Sequence, residues 1–237
     1  MKRTTGAAIA SLVVLGLSVA AVPRAAAQDY SDMTGERRKI ESPEWFALEL
    51  RVGPYTPEIG AAFDETFAGD DGWMLALELD VLIYRIPYVG PIGIGAGIGW
   101  AGYSAGAFAA ADGTRVQEET TLDLVPLNIM AVLRIDALAR YLDVPFVFFG
   151  KIGLDYVLWD TNTGESDDAS GASPGLRWGV GLALELDFLE PDSARTLDEE
   201  WGINHAFIFG ELYGSNAGGD SLPVGDTTIA VGLGFTF

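Results

Sequence analysis

Leucine alternates with alanine or a carboxylate in LALELD, which occurs at Leu75–Asp80 and again at Leu182–Asp187, with a shorter echo at Ala47–Leu50. These letters favour helices, but leucines at 75, 77 and 79 would scatter round a helix and share one face of a strand. The same period of two marks Phe46–Val52, Ile92–Trp100, Ile129–Ile135, Ile152–Leu158, Trp178–Leu186 and Ile229–Phe237. His205–Tyr213 completes the set with a weaker alternation, giving eight strands of about 9–12 residues, the length a tilted strand needs to cross a bilayer.

The faces opposite the leucines carry Glu49, Arg51, Glu78, Asp80, Asn128, Arg134, Lys151, Asp155, Arg177, Glu185, Asp187 and Glu211. Glycines 93, 95, 97 and 99, then 179 and 181, then 232 and 234 fall between them and leave room for bulkier side chains. Alternation alone does not separate an apolar inside from an apolar outside. The aromatic residues do: Trp45, Trp73, Tyr84, Trp100, Tyr103, Trp159, Trp178 and Tyr213 gather near strand ends, as rings at a membrane–water boundary would. The final strand ends Gly-Phe-Thr-Phe, so Phe235 and Phe237 are expected to be the signal read by a barrel-assembly machinery in bacterial outer membranes. The expected fold is all-β: an eight-stranded antiparallel up-and-down transmembrane β-barrel. Ile86–Ala111 is uncharged and long enough for a membrane helix, but Pro87, Pro91 and its glycines make a strand the better reading.

This topology places long extracellular loops at about 54–72, 103–119, 160–175 and 214–226, and periplasmic turns at 85–89, 136–145 and 188–204. The last two turns exceed the short turns such barrels use, and each reads as a small helix. Asp136 is expected to cap 137–142, and Pro191 to open a helix ended by Gly202. Residues 1–27 read as a signal peptide, with Lys2 and Arg3, an apolar run and Ala25-Ala26-Ala27 as cleavage site. Residues 28–44 read as a flexible periplasmic tail, 45–237 as the barrel, with no further domain expected. The expected location is the outer membrane of a Gram-negative bacterium, among its lipid and lipopolysaccharide. The chain of 237 residues has 34 Asp+Glu against 14 Lys+Arg, and loss of Lys2, Arg3 and Arg24 would take the net charge from −20 to −23. That charge excludes nucleic acid as a partner. There is no cysteine, hence neither disulfide nor thiolate metal site.

The stretches RVGPYTP (51–57), GDDGW (69–73), LRIDALARYLDVPF (133–146), KIGLDYVLW (151–159) and FLEPDSARTLDEEWGINHAF (188–207) are similar to a myxobacterial family of small outer-membrane β-barrel proteins. The resemblance spans nearly all of 28–237, and the two helix-like turns are its most specific parts. It implies location and fold, and lends no activity, cofactor or catalytic residue.

Few motifs suggest chemistry. Gly102–Gly106 fits the G-x-S-x-G nucleophile elbow, but the only histidine, His205, is expected at the opposite mouth from Ser104. His205 is expected to pair with Asp187 or Glu185. Gly97–Gly102 fits G-x-G-x-x-G without the helix that would hold a pyrophosphate. Asp160–Asp168 starts like a calcium loop but fails its spacing, and Asp64, Glu65, Asp70 and Asp71 add only loop acidity. No enzyme, cofactor or defined metal site is expected. The charges in the lumen, with acids in excess, are expected to form a closed polar plug around Glu49, Arg51, Glu78, Asp80, Arg134, Lys151, Asp155, Arg177, Glu185, Asp187, His205 and Glu211. A narrow cation-preferring path is the first alternative, and a lipid hydrolase the second.

Overall fold

A computed structural model describes residues 43–60, 63, 66–67, 72–108, 115–162, 169–219 and 221–237. The signal peptide, the expected tail as far as residue 42 and the acids Asp64, Glu65, Asp70, Asp71, Glu165, Asp167 and Asp168 lie outside these residues. Strands β1 (Phe46–Pro54), β2 (Trp73–Ile86), β3 (Gly90–Phe108), β4 (Arg115–Ile135), β5 (Phe146–Asn162), β6 (Ala169–Glu185), β7 (His205–Ser215) and β8 (Asp226–Thr236) form a closed barrel. Each strand pairs antiparallel with its sequence neighbours, and β8 closes on β1. The turn end of the barrel holds the 87–89 turn, two helices and the β1–β8 closure; the loop end holds the remaining connections.

Register turns the leucine pattern into a surface. Leu75, Leu77 and Leu79 pair with Val52, Leu50 and Leu48, and this ladder faces outward. Ile94, Ile98, Ile129, Ile152, Leu154, Val180 and Val231 continue the apolar exterior round the barrel. Glu49 and Glu78 pair directly and both point inward, where like charges repel unless a cation lies between them. The lumen-facing glycines of the wall are a packing requirement. A Cβ on Gly179 would run into Glu211, and one on Gly232 into the ring of Phe209.

Polarity inverts along the barrel axis. In the turn-end half the outside is apolar and the inside charged. Towards the loop end Tyr103, Ala105, Leu122, Leu124 and Val157 are buried inside while Ser104, Asp123 and Asp160 face out. The strands therefore run further than expected: 103–108 and 115–119 belong to β3 and β4, and 160–162 and 169–175 to β5 and β6. Beyond lipid an outward face no longer needs apolar residues, so the alternation that marks a membrane strand fades while backbone pairing continues. The aromatic rings are corrected in the same way. Trp45, Trp73, Tyr84, Trp100 and Trp178 are exposed on the outside, but Tyr103 and Tyr213 are buried inside, and Trp159 packs against the same interior.

Both expected turn-end helices are present, α1 (Ala137–Leu142) and α2 (Pro191–Trp201). Pro191 opens α2, and Gly202 ends it in the left-handed conformation (φ 69°), donating its N–H to Asp198 at 3.0 Å. Asp136 precedes α1 but makes no side-chain cap; its carboxylate instead accepts a hydrogen bond from Arg85 on β2. A charged partner outcompetes the helix N–H groups for that carboxylate.

Candidate functional site

The lumen is filled in two stacked layers. In the turn-end layer Arg51, on β1, reaches Glu49, Glu78 and Glu211 at 2.9 Å each. Lys151, from β5, lies between Glu49 and Glu78 and contacts both, which resolves their repulsion. Arg134, from β4, bonds Glu49 at 3.0 Å and approaches Asp80 only to 3.7 Å. Among the described residues Asp80 has no hydrogen bond to either carboxylate oxygen. Aromatic rings from β5 and β7 cover the cations: Arg134 lies 4.6 Å from the Phe207 centroid and Lys151 5.1 Å from that of Phe149. These charges are at most 4% exposed. Their desolvation is offset because each acid meets a cation from another strand. Arg177 and Asp155 stand 3.7 Å apart towards the loop end, with Arg177 over the Tyr213 ring at 4.2 Å.

The second layer is apolar and was not legible as such. Tyr55, Ile59, Phe63 and Phe67 of the first connection fold inward and pack with Tyr103, Leu122, Leu124, Val157 and Tyr213 of the wall, and with Ala217, Leu222 and Val224 of the last connection. Phe63 meets Tyr103 edge-on with centroids 5.2 Å apart, and its ring is tilted against that of Phe67 at 4.9 Å. Polar groups pin this cap. Tyr55 donates its hydroxyl to the Val224 carbonyl, Tyr103 donates to the Tyr55 carbonyl, and Thr56 N–H donates to Asp226 at 2.9 Å. Glu58 N–H donates to the Gly225 carbonyl at 3.0 Å. The spacing of Tyr55, Ile59, Phe63 and Phe67, one apolar residue in four, is the sequence signal for this inward face.

At the turn-end mouth, below the apolar belt, His205 meets the two acids expected beside it and one more. Its Nδ1 contacts Asp187, and its Nε2 lies 3.6 Å from Glu44. Glu44 is also bonded by Arg85 at 3.1 Å, so the last residue of the expected tail is part of the mouth. Glu185 completes a group whose ligating atoms all lie within 4.8 Å of Asp187 and His205. Burial alone would pull the imidazole down, but the hydrogen bonds to Asp187 and Glu44 and the charges of Glu185 and Glu44 push it up to about 11. Burial alone would raise Glu44; the bond and charge of His205, with Arg85 and Arg134, hold it below the usual carboxylate range.

The expected lumen residues thus divide into three groups: the Arg51 network, the Asp155–Arg177 pair and the His205 mouth. Ser104 faces outward at the loop end of β3, whereas His205 opens β7 at the turn end. Gly97–Gly102 lies within β3, with no helix following. Of the calcium-like segment, Asp160–Asn162 belongs to β5 and residues 163–168 fall outside the described residues. Phe237 exchanges backbone hydrogen bonds with Phe46 at 2.7 and 3.0 Å, and their rings lie 6.1 Å apart, at the seam that closes the barrel.

Apolar outside and ion-paired inside a closed ring of strands decide the class. The chain is a transmembrane β-barrel. No family model and no curated protein matches it. Among solved structures it is similar to Neisserial surface protein A, with 12% identity over 83% of this chain and 98% of that one (TM-score 0.48). It is similar to Ail, the attachment invasion locus protein of Yersinia pestis, with 13% identity over 82% and 97% (TM-score 0.44). The N-terminal β-barrel domain of Pseudomonas aeruginosa OprF shares 11% identity over 82% and 100% (TM-score 0.41).

Proposed function

We propose that this chain is a non-conducting, non-enzymatic barrel of a Gram-negative outer membrane, of the myxobacterial kind its sequence resembles, with a structural or surface-interaction role. In that setting the turn end faces the periplasm and the loop end the exterior. Membrane lipid and lipopolysaccharide surround it, and Phe235 and Phe237 are the signal read by the assembly machinery. The observation that carries the reading is the two-layer filling of the lumen, a buried ion network stacked under an apolar cap. Ions would have to break desolvated pairs in one layer and displace packed aromatics in the other. The opposite placement of Ser104 and His205 supports the absence of hydrolase chemistry. What the protein then offers its surroundings is its protruding hairpins and acidic loop end. Planar-bilayer recording of the purified barrel tests the reading: a flat baseline is expected, and reproducible cation-selective steps would replace it with the channel reading.

A further inference from the structure

We propose that Glu185, Asp187 and His205 form a site for one divalent transition-metal ion of the zinc class at the turn-end mouth, with Glu44 holding the imidazole from its other side. Glu185 and Asp187 stand two residues apart where β6 ends, and His205 opens β7 beside them; the Leu186 N–H donates to the Ala206 carbonyl at 2.8 Å between them. Their three ligating atoms already lie within 4.8 Å of one another, so small side-chain rotations bring them round one ion. Nδ1 is the nitrogen on the Asp187 side, and Nε2 faces Glu44, which Arg85 fixes in turn. A carboxylate on the far nitrogen is how metal-bound imidazoles are oriented.

A second feature points to the same place. Thr236 pairs with His205 across the β7–β8 ladder, so their side chains share a face. Thr236 is 4% exposed, and its hydroxyl has no hydrogen-bond partner among the described residues. A water on the ion's open position would satisfy it. The charge balance agrees: Glu44, Asp136, Glu185 and Asp187 surround Arg85 and His205, leaving acid in excess for a dication to neutralise. One imidazole among carboxylates suits zinc-class ions and disfavours calcium and magnesium, which take oxygen ligands. Such an ion would tie the ends of β6 and β7 together across the α2 connection and, through Glu44, hold the entry to β1. It would serve as a cross-link in a chain without cysteine. This site does not depend on whether the lumen conducts.

The test uses the full barrel purified from membranes, stripped with chelator and titrated with zinc chloride in excess magnesium. One zinc per chain is expected, with an X-ray absorption spectrum showing one imidazole nitrogen among oxygen ligands. Zinc should raise the unfolding temperature of the wild type and leave that of His205→Ala unmoved. His205→Ala and Asp187→Asn, each checked by heat-modifiable gel migration, should weaken binding at least about tenfold, and Glu44→Gln about tenfold through loss of ring orientation. If the stripped wild type takes up no zinc, or its spectrum lacks an imidazole nitrogen, the site does not exist. Equally tight binding by folded His205→Ala overturns it too. Should that variant not fold, unchanged binding in Glu185→Gln together with a nitrogen-free spectrum overturns the site as well.

Discussion

Arg51 Nη1 lies 2.9 Å from Glu211 Oε2, joining β1 to β7 through the lumen. The two strands are not neighbours in the sheet, so this pair braces the barrel across its interior rather than along its wall. The same guanidinium holds Glu49 and Glu78, and all four residues are at most 2% exposed. Removing the cation strands Glu211 and leaves Glu49 and Glu78 to Lys151 and Arg134.

Arg51→Met is therefore expected to destabilise the barrel by about 3–5 kcal/mol, the usual cost of breaking a buried pair from one side. Adding Glu211→Gln should recover part of that loss, because the stranded acid disappears. Urea unfolding in lipid vesicles measures both. If the double variant is no more stable than Arg51→Met, the two residues are not coupled.

Asp80 should behave unlike its neighbours. It is fully buried, has no hydrogen bond among the described residues, and its Arg134 contact is long at 3.7 Å. Asp80→Asn is expected to be neutral or stabilising, whereas Glu49→Gln, which weakens contacts to Arg51, Arg134 and Lys151, should cost about 3 kcal/mol or more. The same vesicle unfolding series compares them, and a larger loss at Asp80 would contradict the network as described.

The lipid face gives a third contrast. Leu77 is paired with Leu50 at the middle of β1 and points outward. Leu77→Arg should cost about 2–4 kcal/mol, the penalty for arginine near the bilayer midplane. Ser104→Arg, outward on β3 but beyond the apolar belt, should fold with wild-type yield and stability. Equal penalties at both sites would place the membrane boundary elsewhere.

The loop-end cap should loosen independently of the wall. Phe63→Ala removes the ring that contacts both Phe67 and Tyr103, a change typically worth about 3–5 kcal/mol in a packed core. Backbone bonds that tie the cap down include Tyr55 N–H to Gly72 O and Glu58 N–H to Gly225 O. Hydrogen exchange at Tyr55 and Glu58 is expected to quicken while Leu48 and Leu79 stay protected. Uniform loosening would mean that cap and wall unfold as one.

Much of this was readable in the chain because strand side chains alternate. The parity of Leu75, Leu77 and Leu79 against Glu78 and Asp80 gives the facing of β2, and Pro191 and Gly202 mark the ends of α2. Parity also places Tyr103 opposite Trp100, Tyr213 with Glu211, and Trp159 with Asp155, all inside. An aromatic ring near a strand end suggests a membrane boundary, and that association is weaker than parity. The meeting of Lys151 with Glu49 and Glu78 had no local signal. Residues of β5, β1 and β2 converge only when the sheet closes, and no spacing along the chain encodes that distance. The turn-end site was half visible: Asp187 and Glu185 were expected beside His205, whereas Glu44 belonged to a segment without pattern.

The mouth cluster sets a pH dependence whose sign is fixed. In chelator-stripped protein His205 is raised to about 11, above the ordinary histidine value of about 6.5 in an unfolded chain. A group with a higher folded pKa stabilises the fold fully below its unfolded value and loses that contribution as pH climbs through its folded value. The contribution of His205 should therefore be complete at pH 6, shrink steadily to pH 10 and vanish above about 11. Glu44, Glu185 and Asp187 face the ring, with Arg85 and Asp136 behind Glu44. Comparing wild type with His205→Gln at each pH cancels the titration of the remaining lysines and tyrosines. The stability gap between them should be widest at pH 6 and narrow at pH 10, and a gap that stays constant would show that the imidazole carries no proton at the mouth.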